Sequence, residues 1–281
     1  MNDRVALLQE IRPCVALQQY VRKFNVFKFV FEKGSHLPPK FHAPRPEHSI
    51  TFYVRDAQKF SHLHSDEIIT YPSCVINGIY DTPIYRHGGY DFWAIKTVLQ
   101  PTTLARLKVV NVSEITNRYL NAEDFLGKEV SLLSEKLAAM GDLPSMIQAI
   151  EQFLIMTINR RVRIEVPFDK ATCAFFNLVG NKALEWYADQ ACLSLRQFIR
   201  QFEEQVGISP KTFQKIIRFD KACRMKNNHP QLDWLQIAIS CNYYDYQHLS
   251  KDFKEFTQMT PPAFYEIEKT SPERSFALHE S

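Results

Sequence analysis

Three side chains near residue 200 carry hydrogen-bond donors at helical spacing: Arg196, Gln197 and Arg200, with Ile199 among them. Farther along, Tyr246, Gln247, Ser250 and Lys251 repeat the arrangement, followed by Lys254. Guanidinium, amide, hydroxyl and ammonium groups on one helix face are the donors that pair with base edges and phosphate oxygens. Lys211 and Lys215, between the two groups, would add phosphate contacts. The charge is regional. Ser194 to Lys226 holds eight basic residues against three acidic ones, a net of +5, whereas the whole 281-residue chain carries only +3. Double-stranded DNA is the partner this chemistry suits, provided that the chain holds each group on an outward helix face.

An internal repeat supplies such a scaffold. Ser194, Phe198, Arg200, Phe202, Ser209, Pro210 and Phe213 recur at an offset of 51 as Asp245, Leu249, Lys251, Phe253, Thr260, Pro261 and Phe264. Upstream the offset is 50: Leu184, Ala188, Ala191 and Cys192 match Trp234, Ala238, Cys241 and Asn242. The one-residue difference belongs in a turn, so each unit reads helix, short turn, helix. The helix starts agree. Ser194-Leu-Arg-Gln197 is a capping box, and Leu193 and Phe198 form a hydrophobic staple across it. The staple recurs as Ile208/Phe213 around Ser209, Leu232/Ile237 around Asp233, Tyr244/Leu249 around Asp245 and Met259/Phe264 around Thr260. Pro210 and Pro261 occupy first helical positions, where the missing N–H costs nothing. Inward positions are Leu195, Phe198 and Phe202 in one unit and Leu249, Phe253 and Phe256 in the other. A helix-turn-helix of this kind lays its second helix in the major groove.

Residues 168–268 resemble the AraC/XylS family of bacterial transcription regulators. The likeness is carried by Leu193-Ser-Leu-Arg-Gln-Phe-Ile-Arg-Gln-Phe202, Gly207-Ile-Ser-Pro-Lys-Thr-Phe213 and Arg218-Phe-Asp-Lys-Ala222. In the second unit it is carried by Ile237-Ala-Ile-Ser-Cys-Asn-Tyr-Tyr-Asp-Tyr-Gln-His-Leu249 and Lys251-Asp-Phe-Lys-Glu-Phe-Thr-Gln-Met-Thr-Pro261. Cys192, Asn242 and Gln258 stand where the family usually has glycine. Asparagine tolerates the left-handed backbone of such a position, glutamine less readily, so the end of the helix before Gln258 is expected to differ. The resemblance implies a seven-helix domain whose two units are joined by one helix from Pro210 to about Asn227, roughly 26 Å long. Two heads held this way enter successive major grooves, about 34 Å apart. It also implies base reading by Arg196, Gln197, Ile199 and Arg200, then by Tyr246, Gln247, Ser250 and Lys251, with the first head carrying more of it. RNA polymerase is an implied partner, and a small-molecule effector and a homodimer are the further partners such regulators take.

The first half differs in character. It holds six of the eight glycines and the aromatic-rich runs 26–31, 49–54, 67–71, 74–76 and 92–98, which read as short strands of a sandwich or small barrel. Asn77-Gly78 reads as a type I′ hairpin. Two helices follow, 123–140 and 144–161, the second capped by Asp142. Its stripe of Ile147, Ile150, Leu154 and Ile158 must be buried, either on the strands or against a second subunit. The expected fold class is α+β: a β-rich domain (1–120), which the resemblance implies is cupin-like and serves sensing or dimerisation, a helical connector (121–165), an all-α domain of two helix-turn-helix units (166–268) and a flexible tail (269–281).

Composition and motifs exclude other classes. Apolar residues at 45% and charged ones at 23% describe an ordinary globular chain. No run approaches the roughly 20 apolar residues that span a bilayer, so no membrane partner is expected. The first ten residues show no signal-peptide pattern, and the six scattered cysteines suit a reducing compartment, so a cytoplasmic location is expected. No P-loop, G-x-S-x-G, H-E-x-x-H or dinucleotide fingerprint occurs, and no catalytic residue, cofactor or metal is expected. His62-Leu-His64-Ser-Asp-Glu67 only loosely resembles the metal spacing of catalytic cupins. Two rival readings stay open: a cupin-type metal-binding enzyme with a helical tail, and a protein-interaction adaptor that has lost DNA binding.

Overall fold

The computed structural model describes residues 6–108, 110–162, 164–178 and 182–278; part of the segment read above for a signal peptide lies outside them. The first half folds as β1 (Ala6–Ile11), β2 (Val21–Val30), β3 (Lys40–His42), β4 (Ser49–Tyr53), β5 (Lys59–His62), β6 (Ile69–Thr70), β7 (Cys74–Asn77), β8 (Ile84–His87) and β9 (Asp91–Leu99). After α1 (Thr103–Arg106) and a 3-10 turn at Val112–Ile115 comes β10 (Tyr119–Asn121). Two antiparallel sheets result, ordered β1-β2-β9-β4-β7-β10 and β3-β8-β5-β6.

Strand alternation decides what each face meets. Ile50 and Phe52 of β4 and Trp93 and Ile95 of β9 point to one side of the larger sheet, into a core shared with helices. Tyr53 and Ala94 point the other way, into a second core with Phe60, Tyr71 and Ile84. The helices of the first core are α2 (Ala122–Leu126), α3 (Lys128–Ala139) and α4 (Leu143–Arg161). Asp142 caps α4 as expected, accepting from the Ser145 amide at 2.9 Å. Ile147, Ile150, Leu154 and Ile158 are buried in this same core, so their stripe is covered by the chain's own sheet and helices. α2, α3 and α4 thus cover that face of the larger sheet.

Two local expectations are corrected. The single helix expected over 123–140 is broken at Gly127, whose φ of +93° takes it out of helical space. The Asn77-Gly78 hairpin does not form: Asn77 ends a central strand that pairs with both β4 and β10. Gly78 is needed for another reason, since a Cβ there would lie 1.9 Å from the Ile115 carbonyl oxygen.

The second half is helical: α5 (Pro167–Cys173), α6 (Phe175–Leu178), α7 (Leu184–Gln190), α8 (Leu195–Val206), α9 (Pro210–Asn228), α10 (Trp234–Ser240), α11 (Tyr246–Thr257) and α12 (Pro261–Lys269). Residues 269–281 were expected as a flexible tail, but Pro272–Phe276 forms a 3-10 turn packed on the strands, where Phe276 meets Phe29 and Phe31 at ring distances of 5.9 and 5.1 Å. Aromatic burial outweighs the chain-end entropy there. The halves also meet through Phe41 and Phe264, and through Arg106, which is buried beside Asp169 at 4.0 Å. Among the described residues no helix is long and apolar enough to cross a membrane.

Candidate nucleic-acid interface

Each helix-turn-helix is set by its caps and by one aromatic cluster. Ser194 accepts from the Gln197 amide at 3.3 Å while the Gln197 side chain accepts from the Ser194 amide at 3.0 Å, closing the expected capping box at the start of α8. Asp233 and Gln236 repeat it on α10, with distances of 2.7 and 3.1 Å. Ser209 and Asp245 cap α9 and α11 from Thr212 and His248. Thr260 makes no side-chain cap bond, so Pro261 and the Met259/Phe264 pair must start α12 without it. Beneath α8, Phe202 meets Phe213 of α9 at 5.5 Å, and Phe175 stacks on Tyr187 at 4.1 Å. Beneath α11, Phe253 meets Phe219 of α9 at 4.8 Å and Trp234 of α10 at 5.4 Å. The second helix of each pair, α8 and α11, therefore hangs from α9, whose 19 residues extend ~28 Å.

The outward faces fall where the periodicity predicts. Arg196, Gln197 and Arg200 are exposed on α8, with Ile199 half-buried. On α11, Gln247, Lys251 and Lys254 are exposed and Tyr246 and Ser250 half-buried. Among the described residues Arg200 makes only an exposed ion-pair contact, with Glu204 at 3.8 Å, which water screens.

The basic residues of α9 divide differently. Lys211 and Lys221 are exposed. Lys215 is not a loose cation: it donates to Glu255 of α11 at 2.6 Å and lies 3.9 Å from the buried Asp252. Arg218 donates to the same Asp252 at 3.2 Å. Lys226 is buried, donating to the carbonyls of Pro230 and Leu232, and Arg224 is held by Asp220 at 2.7 Å. Four of the eight cations counted from the sequence thus fasten the domain together, and the remaining four, Arg196, Arg200, Lys211 and Lys221, face solvent. A count of charges could not separate these groups: the partners of Lys215 and Arg218 lie far along the chain on α11, and Lys226 is taken up by backbone carbonyls, which a charge count omits.

The three positions without glycine adopt the left-handed backbone all the same: φ is +56° at Cys192, +62° at Asn242 and +63° at Gln258. Gln258 ends α11 in that conformation, so the helix end expected to differ keeps the glycine-like geometry. A side chain there costs ~1–2 kcal/mol. Cys192 is exposed. Cys192→Gly is therefore expected to stabilise the chain by ~0.5–1 kcal/mol after the added freedom of the unfolded state is subtracted. An unchanged or lowered urea midpoint for this variant would contradict the strain.

The strand domain bears on this face directly. The C-terminal end of α8 rests on it: Thr116 donates to the Gly207 carbonyl at 2.8 Å, and His48 Nε2 lies 3.1 Å from the Val206 carbonyl. His48 is 1% exposed, and burial pulls its pKa down to about 4, so the ring is neutral and donates. His62 packs edge-on against Phe60, while His64 Nε2 lies 3.3 Å from the Gln258 side-chain oxygen. Among the described residues no three His, Cys, Asp or Glu side chains gather as a metal site.

Between the sheets lies a cavity of about 80 Å³ with apolar walls that include Phe27, Phe29 and Phe92. Lys40, Arg86 and Lys96 also line it. Lys96 and Glu47 form a buried ion pair. Burial alone would raise the Glu47 pKa, but the charges of Lys96 and Arg45 override it and hold the carboxyl well below the usual range. These groups escaped the sequence reading. The available signal was Lys96 itself, a lone charge in an apolar strand, on the same face as Phe92 and Ala94.

Comparison with known proteins adds the following. A helix-turn-helix domain family model matches residues 187–266. An uncharacterised helix-turn-helix-type transcriptional regulator of Haemophilus influenzae is 31% identical over 120 residues, 41% of this chain and 39% of that one. The helix-turn-helix-type transcriptional regulator MtrA of Neisseria gonorrhoeae is 32% identical over 81 residues, 27% of each chain. The matches thus span well under half the length of either regulator. The crystal structure of apo ToxT from Vibrio cholerae aligns with a TM-score of 0.48 at 11% identity, over 87% of this chain and 97% of that one.

Proposed function

With residues 187–266 a helix-turn-helix domain of the AraC type, we propose that the whole chain is a sequence-specific DNA-binding transcription regulator. The observation that carries this reading is the duplicated, capped helix pair on one shaft with exposed donors on both second helices. Arg196, Gln197, Ile199 and Arg200 read one major groove, and Tyr246, Gln247, Ser250 and Lys251 the next. Lys211 and Lys254 take phosphates. Lys215 serves mainly to hold α11 on α9, because its ammonium is already engaged by Glu255. The regulator works in the cytoplasm with RNA polymerase as partner, and its strand domain senses a small-molecule effector or pairs two copies. No enzymatic step belongs to this reading.

Selecting bound sequences from a random duplex pool tests the proposal and returns the operator with its half-site spacing. Against that operator, Arg200→Ala is expected to cost ~1–3 kcal/mol and to relax preference at one base pair. Lys211→Ala should weaken all duplexes alike and flatten the salt dependence by about one unit. A chain that enriches no sequence, and whose Arg200→Ala variant binds every duplex as the parent does, would overturn the assignment.

A further inference from the structure

Four of the five hydrophobic staples expected from the sequence pack in or against the core of the helical half, through Leu193, Ile208, Leu232 and Met259. The fifth does not form. Tyr244 is 86% exposed, whereas the next most exposed aromatic ring among the described residues, Tyr90, is 38% exposed. The buried place goes to Tyr243, which meets His248 edge-on at 5.1 Å and lies under the Arg218 guanidinium at 4.9 Å. The two turns differ by one residue. Leu193 alone separates Cys192 from the Ser194 cap, but Tyr243 and Tyr244 separate Asn242 from the Asp245 cap. The second turn therefore fills its core position and still has an aromatic ring to turn outward.

Position and charge decide what that ring meets. Tyr244 directly precedes the cap of α11, at the end of a second helix that enters the major groove in this motif. Its backbone is held, since its amide lies 3.4 Å from the His248 Nδ1. The Asp245 carboxylate accepts from the His248 amide at 2.7 Å, so an anion already sits where a helix start would hold a phosphate. The start of α8 carries the neutral Ser194 instead. A phosphate is repelled beside Asp245, whereas base edges are uncharged. Among the groove-facing groups of the bases, the apolar one is the 5-methyl of thymine.

We propose that Tyr244 is a further specificity-determining residue, whose ring packs on a thymine methyl in the groove entered by α11. The contact lies beside the base pairs assigned above to Tyr246 and Gln247. Those two carry hydrogen-bonding groups, and Tyr244 adds an apolar test for thymine that donors and acceptors alone do not make. The inference rests on the DNA reading proposed above and adds to it one residue and the base feature it selects.

The test uses the full chain and its selected operator, with each thymine replaced in turn by uracil, which lacks only the methyl group. At one thymine the replacement is expected to weaken the parent about fourfold, the fold-change that corresponds to ~0.8 kcal/mol for one buried carbon. Tyr244→Ala should bind the thymine and uracil forms of that duplex alike. Tyr244→Phe should discriminate as the parent does, because the ring makes the contact and the hydroxyl does not. A Tyr244→Phe variant as weak as Tyr244→Ala, and equally weak on every duplex, would place the hydroxyl on a phosphate and overturn the proposal. So would a uracil scan in which no position depends on Tyr244. An operator that is enriched but holds no such thymine sinks this inference alone, whereas a chain that enriches no sequence removes the regulator reading with it.

Discussion

Lys96→Met is expected to lower the free energy of unfolding by ~3 kcal/mol, at the low end of the ~3–5 kcal/mol for a buried pair robbed of one partner. The loss comes less from the missing attraction than from what stays behind. Glu47 is buried, and without the ammonium its carboxylate must be protonated or kept charged at high cost inside the strand domain. Arg45 and Arg22, whose charges also favour the ionised form, soften the penalty and place it at the lower bound. The double variant Glu47→Leu/Lys96→Met removes both charges and should recover most of the stability, because a neutral apolar replacement of such a pair is often close to neutral overall. Urea unfolding followed by circular dichroism separates the cases. A single variant as stable as the parent, or a double variant worse than the single, would show that the pair does not act this way.

Acid should loosen the same molecule at a definable place. The folded His48 pKa of about 4 lies below the ordinary histidine value of 6.5, so between those values the unfolded chain binds a proton that the folded chain refuses. Stability then rises with pH across that window: the neutral-ring contribution is fully present above about 6.5 and is lost as pH falls toward 4. With ~1.4 kcal/mol per unit of difference, the total is on the order of 3 kcal/mol. His48→Gln keeps a side-chain donor for the Val206 carbonyl and cannot titrate, so its unfolding free energy should lack that share of the slope between pH 7 and 4.5. A parent and a variant with identical pH slopes would remove His48 as the cause. Since Val206 ends α8, the expected acid effect falls on the contact between the halves.

What was legible before the fold was known was local. The helix boundaries of the carboxyl-terminal domain follow from residues that act within one turn, as Ser194, Ser209, Asp233 and Asp245 do by capping amides three positions on. The family resemblance, not the repeat, pointed to the three left-handed positions, Cys192, Asn242 and Gln258. The strand half was legible only where apolar runs were long. Short strands such as Lys40–His42 and Lys59–His62 carry polar residues and draw their structure from a partner, β8, that lies far along the chain. Asn77-Gly78 shows the opposite failure: a strong local turn signal overridden because β7 is needed between two neighbours and Gly78 is needed against Ile115. Lys215 and Lys96 were opaque for a related reason. A charge does not declare its counter-ion until the chain is folded.

The shaft α9 is a single run of 19 helical residues, anchored at Phe213 near one end and at Phe219 farther along. Each residue in such a run advances ~100° around the axis, so length and angular phase are locked together. Inserting or deleting one residue between those anchors would swing the downstream grip a quarter-turn or more out of alignment with the upstream one. Drift in chain length is thus barred from this stretch and diverted to the 229–233 turn, while point changes on its solvent side leave the angular phase untouched.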